Sequence, residues 1–355
     1  MPITNIESVT IKNFFSIDDI KLKNLKDKKE IYIVGENGDG KSLLLQAIAI
    51  ALVGVQDGDV FDFMKGQKNY TLSLLDSKGK EYDHQPHEYY KHIFAYGAAR
   101  NNYCQMKEDA TGYLTLFNSE YDLKNPLKWL QYLDYREKSG KRNIISVGRA
   151  KEILQDLLGS EIEIDISPDK VRFMQKGSEA TFRQLSSGYQ GVIILACDLL
   201  SRLALNQPEV DKMEEFEGIV LIDEMELHLH PKWQYHFMKK LRDAFPLIQF
   251  IVTTHSPTVI LGASKEAVFY KVYKEDGIVN ISNQLRNEGY TYNSVISSPL
   301  FDLEEIASRS FTKSVSSSDY VYDKIHEVIS TKIKNNINVD EEELMNLIDK
   351  ELEAL

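Results

Sequence analysis

Apolar residues recur along this chain with two different periods, and the places where the period switches divide it into elements. Short apolar runs at 9–11, 20–22 and 31–34, separated by polar turns, predict three strands near the start. A helix-like segment at 43–52 follows a glycine-rich stretch. Between 53 and 90, turn signals surround the alternating run 70–75, which predicts a small hairpin region, and 93–96 has the character of a buried strand. From Asn125 the period becomes helical: Leu127, Leu130 and Leu133 share one face, and Val147, Ile153, Leu154 and Leu157 follow the Ser139-Gly140 break. Alternation at 161–166 and 171–175 predicts strands that return the chain to its core, and a long apolar helix spans 188–205. The compact apolar runs 219–222 and 250–253 have the pattern of buried parallel strands of one sheet, with a helix at 233–244 between them. After 260 come an alternating segment, 267–273, a Ser-rich passage, 308–318, and two predicted helices that end in an acidic stretch, 340–355. Leu344, Leu347, Ile348, Leu352 and Leu355 could give that end a partner face, although a solvated acidic helix has the same pattern.

The switch at residue 34 carries chemistry. Gly35, Asn37, Gly38, Asp39, Gly40, Lys41, Ser42 and Leu43 lie between a strand and a helix, and the glycines let backbone N–H groups turn inward on phosphate oxygens. Lys41 supplies a cation, and Ser42 a hydroxyl for Mg²⁺. The chain is therefore expected to bind a nucleotide.

Composition narrows the setting. The 355 residues allow two or three modest domains, or one large α/β domain with an inserted lobe, and 43 % apolar with 27 % charged residues is ordinary for a globular protein. No uninterrupted apolar run suggests a membrane span, no basic-then-apolar leader is visible, and the two cysteines, Cys104 and Cys197, fit reduced thiols in the cytoplasm. A net charge of −12 argues against a surface that is wholly a nucleic-acid footprint but leaves room for a local basic groove. Candidates are Lys21, Lys23, Lys26, Lys28 and Lys29, interleaved with acids, and Lys138, Lys141, Arg142, Arg149 and Lys151.

Three further constellations belong with the loop. The strand 218–222 delivers Asp223 and Glu224 to its C-terminal end, where open α/β sheets place ligands; Asp223 suits the Mg²⁺ shell with Ser42, and Glu224 suits deprotonation of an attacking water. His255 comes after another apolar strand and is expected on the same edge, within reach of a γ-phosphate. Ser186, Ser187 and Gly188 open the long helix, which makes either an ordinary N-cap or a second anion site. His228 and His230 admit a zinc reading by their spacing, weaker than that of a connecting loop.

In this order, GENGDGKS, LSSGYQ, IVLIDE running into MELHLHP, and TTHSP resemble the Walker A, signature, Walker B and switch motifs of ATP-binding cassette (ABC) ATPases, more closely the branch of the SMC, RecF and overcoming-lysogenization-defect (OLD) families. The opening residues 9–17 resemble the strand-turn that starts RecF-like ATPases. The resemblance implies an α/β ABC-type core with a mixed sheet, an N-terminal antiparallel β subdomain and a helical lobe inserted between Walker A and signature. It divides the chain into an N-terminal half (1–120), a helical lobe (121–160), a C-terminal half with signature, Walker B and switch (161–275) and a mainly helical extension (276–355). Catalytic roles fall to Glu224, His255 and Lys41. Ser186, Ser187 and Gly188 would close in trans on an ATP held by a second copy. Two departures stand out: Met225 where proline is common, and no glutamine in 95–100, where Tyr96 or Arg100 could take over part of a role at Mg²⁺ and water.

The span from Ser42 to Leu185 leaves no room for a long coiled coil, and the stretch beyond Ser256 is too short and too helical in pattern for a Toprim nuclease. The expectation is an ATPase that works with a separate effector, nuclease or toxin, resembling the ATP-driven subunits of Septu and PARIS anti-phage systems. A RecF-like DNA-binding ATPase and a non-hydrolysing scaffold are the alternatives.

Overall fold

Two groups of strands with different patterning meet in one mixed sheet. In chain order the elements are β1 (Ile6–Phe14), β2 (Ile17–Leu22), β3 (Glu30–Val34), α1 (Lys41–Val53), α2 (Gly58–Phe63), β4 (Thr71–Asp76), β5 (Glu81–Asp83), β6 (Ile93–Tyr96), β7 (Lys107–Glu108) and β8 (Tyr121–Asp122). Then come α3 (Pro126–Lys138), α4 (Val147–Leu158), β9 (Ile162–Ile166), β10 (Val171–Gln175), β11 (Ser178–Ala180), α5 (Ser187–Asn206), β12 (Gly218–Ile222) and α6 (Pro231–Ala244). The last are β13 (Ile248–Thr254), α7 (Pro257–Leu261), β14 (Val268–Glu275), β15 (Ile278–Ile281) and β16 (Leu285–Arg286). The structure, a computed structural model, describes residues 3–86, 91–100, 103, 107–141, 143–159, 162–175, 177–286, 294, 295, 298, 300 and 301. The predicted Ser-rich passage and acidic tail helices lie outside the described residues, as do Cys104 and Arg142.

The main sheet runs β5-β4-β1-β2-β15-β14-β3-β13-β12-β6, with β16 beside β14. From β14 to β6 every neighbour is parallel, whereas β4, β1 and β2 pair antiparallel. The parallel strands β3, β12, β13 and β6 are buried at every position. Successive side chains therefore enter opposite cores. Tyr32, Val34, Val220, Ile222, Phe250 and Val252 join the core under α3 to α6, while Ile31, Ile33, Ile219, Leu221 and Ile251 join the core around α1. Each such fully buried aliphatic or aromatic side chain contributes roughly 1.5–3 kcal/mol. α1 has no polar face because sheet and hairpin cover it almost all round, with Leu44, Leu45, Ile48 and Leu52 fully buried.

Two expectations are corrected. The alternating segments from 162 do not rejoin the core sheet: β9, β10 and β11 form a separate three-stranded sheet, packed against α3 and α4. Alternation sets the period of a strand but not which sheet it joins. The main sheet also continues past residue 275, since β15 pairs with both β14 and β2 and bridges the parallel and antiparallel halves.

α5 is long and apolar enough to cross a membrane, yet 78 % of its apolar window is buried inside the protein. It also holds a buried ion pair, Arg202 Nε to Asp198 Oδ2 at 2.5 Å. Asp198 further accepts from the Tyr96 hydroxyl at 3.0 Å and from the Lys124 N–H at 2.9 Å, so one carboxylate ties α5 to β6 and to the approach to α3.

Candidate functional site

Register builds the site. Ile222 pairs with Val252 and with Tyr96, and Thr254 pairs with Val34, so the residues just beyond these strands, Asp223, Gly97, His255 and Gly35, share one sheet edge. Since β13 lies between β3 and β12, the switch segment separates the glycine loop from the acidic pair.

The loop cannot carry larger side chains. Gly38 and Gly40 have φ of 92° and 96°. A Cβ on Gly40 would come within 2.7 Å of Val279, and one on Gly35 within 2.4 Å of the Val272 carbonyl, so the β14–β15 hairpin wedges the loop in place. Asp39 Oδ2 accepts from the Glu36 N–H at 2.8 Å and braces the turn from inside. α1 begins at Gly40 without a side-chain cap, which leaves its first N–H groups available to an anion. Lys41 is buried and donates to the carbonyls of Gly35 (2.9 Å) and Glu36 (2.7 Å). Burial pulls its pKa down, against the opposing pull of Glu226, Asp39, Asp223 and Glu224.

Across the edge, the Ser42 hydroxyl donates to Asp223 Oδ2 at 2.8 Å. A hydroxyl and a buried carboxylate beside an anion cradle are hard oxygen donors, and this donor set fits Mg²⁺. Thr253, fully buried, donates its hydroxyl to Asp223 Oδ1 at 2.6 Å and accepts the Glu224 N–H at 2.7 Å, which orients both acids at once. Glu224 has φ of 45°, a conformation that costs a non-glycine residue about 1–2 kcal/mol. Among the described residues its carboxylate makes no hydrogen bond.

His255 is held by a residue to which the sequence pattern assigned no role. Glu226, buried, has Oε1 2.8 Å from His255 Nδ1 and 2.6 Å from the His255 backbone N. The imidazole is half exposed, with Nε2 left for another partner. Gln234 donates to the Leu229 carbonyl at 2.9 Å and accepts the Ser256 hydroxyl at 2.7 Å, so it fastens the segment after the acids to the switch.

Ser186, Ser187 and Gly188 lie apart from this group. Ser186 caps α5, accepting from the Tyr189 N–H at 3.5 Å. A Cβ on Gly188 would sit 2.5 Å from the His228 carbonyl, and His228 itself has φ of 64°. Ser186, Gly188 and His228, together with His230, Lys232 and Trp233, line a cavity of about 260 Å³. His230 Nδ1 accepts from the Lys232 N–H at 3.3 Å and so caps α6, and among the described residues no cluster of three metal-ligating side chains occurs.

The two substitutes considered for a glutamine are both engaged elsewhere. The Tyr96 hydroxyl is committed to Asp198, and Arg100 donates to the carbonyls of Asp223 (2.6 Å) and Glu224 (2.7 Å). Several of the basic candidates are also spent on the protein itself: Lys138 on Asp134, Arg149 on Glu152 and Glu214, and Lys29 on Asn5 and the Leu247 carbonyl.

The glycine loop, the acidic pair and His255 share one edge of the parallel part of the sheet. The fold is that of an ABC-type P-loop ATPase. A family described as "AAA domain, putative AbiEii toxin, Type IV TA system" matches residues 147–261. The chain is 27 % identical to the Septu protein PtuA of Bacillus mycoides (strain KBAB4), over 97 % of this chain and 50 % of that protein. It is 43 % identical to the retron Vc95 probable ATPase of Vibrio cholerae serotype O1 biovar El Tor, over 27 % of this chain and 18 % of that one. The chain thus spans about half the length of its Septu relative. A solved SMC head bound to the C-winged helix domain of ScpA matches over 80 % of this chain and 98 % of that one, at 15 % identity and a TM-score of 0.49.

Proposed function

We propose that the chain binds and hydrolyses ATP in a two-fold, head-to-tail dimer, and that this cycle controls a separate effector, nuclease or toxin, in bacterial anti-phage defence. The observation that carries the ATPase reading is the shared sheet edge: Lys41, Ser42, Asp223, Glu224 and His255 converge there, while Ser186 and Gly188 line a cavity with His228, His230, Lys232 and Trp233. Half of an active site is thus assembled in one copy.

In this reading the loop N–H groups and Lys41 hold the β and γ phosphates, and Ser42 and Asp223 would hold Mg²⁺, which would supply charge neutralisation. Glu224, free of protein partners among the described residues, takes the proton of the attacking water. His255, steadied through Nδ1 by Glu226, turns Nε2 to the γ-phosphate. Serines and helix N-terminus from the second copy complete the anion cage. The effector role rests on similarity to the Septu and retron proteins.

Mixing two crippled chains tests the dimer. Lys41→Ala and Ser186→Arg should each abolish turnover alone, while an equal mixture regains about a quarter of wild-type activity, because half of the sites in mixed dimers are intact. No recovery in the mixture defeats the composite site. The effector is tested by co-expression with the neighbouring gene product, which should copurify and respond to the Lys41→Ala change.

A further inference from the structure

Arg100 is the least conventional group near the site. It is 5 % exposed, and burial pulls its pKa from 12.5 down to about 10, so it keeps its charge at neutral pH. Among the described residues it forms no ion pair. Its guanidinium donates instead to backbone carbonyls: Nη1 to Asp223 at 2.6 Å and Gly97 at 3.4 Å, Nη2 to Glu224 at 2.7 Å and Met225 at 3.3 Å. Three successive carbonyls can face one cation only if the chain bends sharply, and the bend is where Glu224 takes its φ of 45°. The Glu224 N–H is meanwhile fixed by Thr253.

The arginine sits on a firm base. Gly97 approaches the Thr115 carbonyl so closely that a Cβ would lie 2.1 Å from it, and the Asp223 N–H donates to the Tyr96 carbonyl at 2.8 Å. Tyr96 in turn is bound to Asp198 on the signature helix α5. A planar fork with several donors can span adjacent carbonyls; an ammonium cannot hold the same set in one plane.

We propose that Arg100 is a positioning residue that holds the turn after β12 in the left-handed conformation needed to aim the Glu224 carboxylate, and so serves hydrolysis without touching nucleotide. The proposal rests on the ATPase reading for its kinetic test but not for its structural one.

Arg100→Lys keeps the charge and loses the fork. Its kcat should fall at least about tenfold while KM for ATP moves less than about threefold, the pattern of an interaction that matters in the transition state. In a Glu224→Gln background the same change should cost nothing further, because both act through one carboxylate. An unchanged kcat, a parallel loss in KM, or an equal loss in the Glu224→Gln background each overturns the proposal. If Glu224→Gln leaves turnover untouched, the general-base reading fails instead, and a crystal structure of Arg100→Lys decides the positioning claim alone: Glu224 retaining its positive φ overturns it, and an extended turn supports it. Should Arg100→Lys not yield folded protein, Arg100→Gln is measured in the same way.

Discussion

The nucleotide-loop corner and the signature corner differ in how they are completed. At the loop corner most groups are held by the same chain: Ser42 and Thr253 converge on Asp223, Glu226 on His255, Arg100 on the turn that bears Glu224, whose carboxylate alone makes no hydrogen bond among the described residues. At the signature corner Ser186 caps its own helix, and Gly188 is pressed against the His228 backbone beside an open cavity. One corner is therefore prepared within a copy. The other is a capped helix start beside an open cavity, which in the proposed dimer would face the nucleotide of a second copy. In the proposed dimer a division of this kind would make nucleotide binding and assembly separate steps, with α5 and its Asp198 contact to β6 running between the two corners.

The comparison breaks most visibly at Glu224. If Glu224 is the general base of the proposed mechanism, Glu224→Gln should lower turnover by about 10²–10⁴-fold while fluorescent ATP analogues still bind, because such a base contributes that much and holds no phosphate. The link between the corners is tested at Asp198: replacement by Ala leaves Arg202 buried without its partner and should cost about 3–5 kcal/mol in urea unfolding. A smaller effect is expected at Gly188. Its Ala variant pushes on the His228 carbonyl and should reduce turnover by about tenfold with unchanged ATP affinity in one copy, a loss near 1.4 kcal/mol. Equal loss of ATP affinity would mean that the signature touches nucleotide within its own chain.

The smallest effect lies at the opposite end of β6. His92 is buried, and desolvation lowers its pKa from the usual 6.5. The unfolded chain then binds a proton before the folded one does, so stability is fully present above about pH 6.5 and is lost as pH falls through that value toward the folded pKa. Unfolding midpoints should fall from pH 7.5 to about 5.5 in the wild type and flatten in His92→Gln, with ATP affinity unaffected.

Much of the loop corner was legible before any coordinates. The glycine spacing, the acidic pair and His255 each come after an apolar strand, and a strand end is where a parallel sheet offers its ligands. Thr253 and Glu226 carried no such signal. Thr253 becomes functional only because the β12–β13 register sets it beside Asp223, and Glu226 only because its loop turns back on the switch. Arg100 was visible as a departure from the cassette pattern, but its duty to carbonyls was not, since backbone acceptors leave no trace in side-chain identity. The strands from 162 misled for a related reason: alternation specifies two faces and says nothing of which neighbour supplies the hydrogen bonds.

By itself, then, the sequence determined the elements, the anion-binding loop and the chemical character of the acids, because backbone conformation and side-chain chemistry are local properties. The tertiary structure decided which of those residues meet. Register, the β14–β15 wedge against the loop, the clasp of Arg100 and the separation of the signature from Lys41 all depend on contacts between residues far apart in the chain, and such contacts are set by packing, which no local pattern encodes.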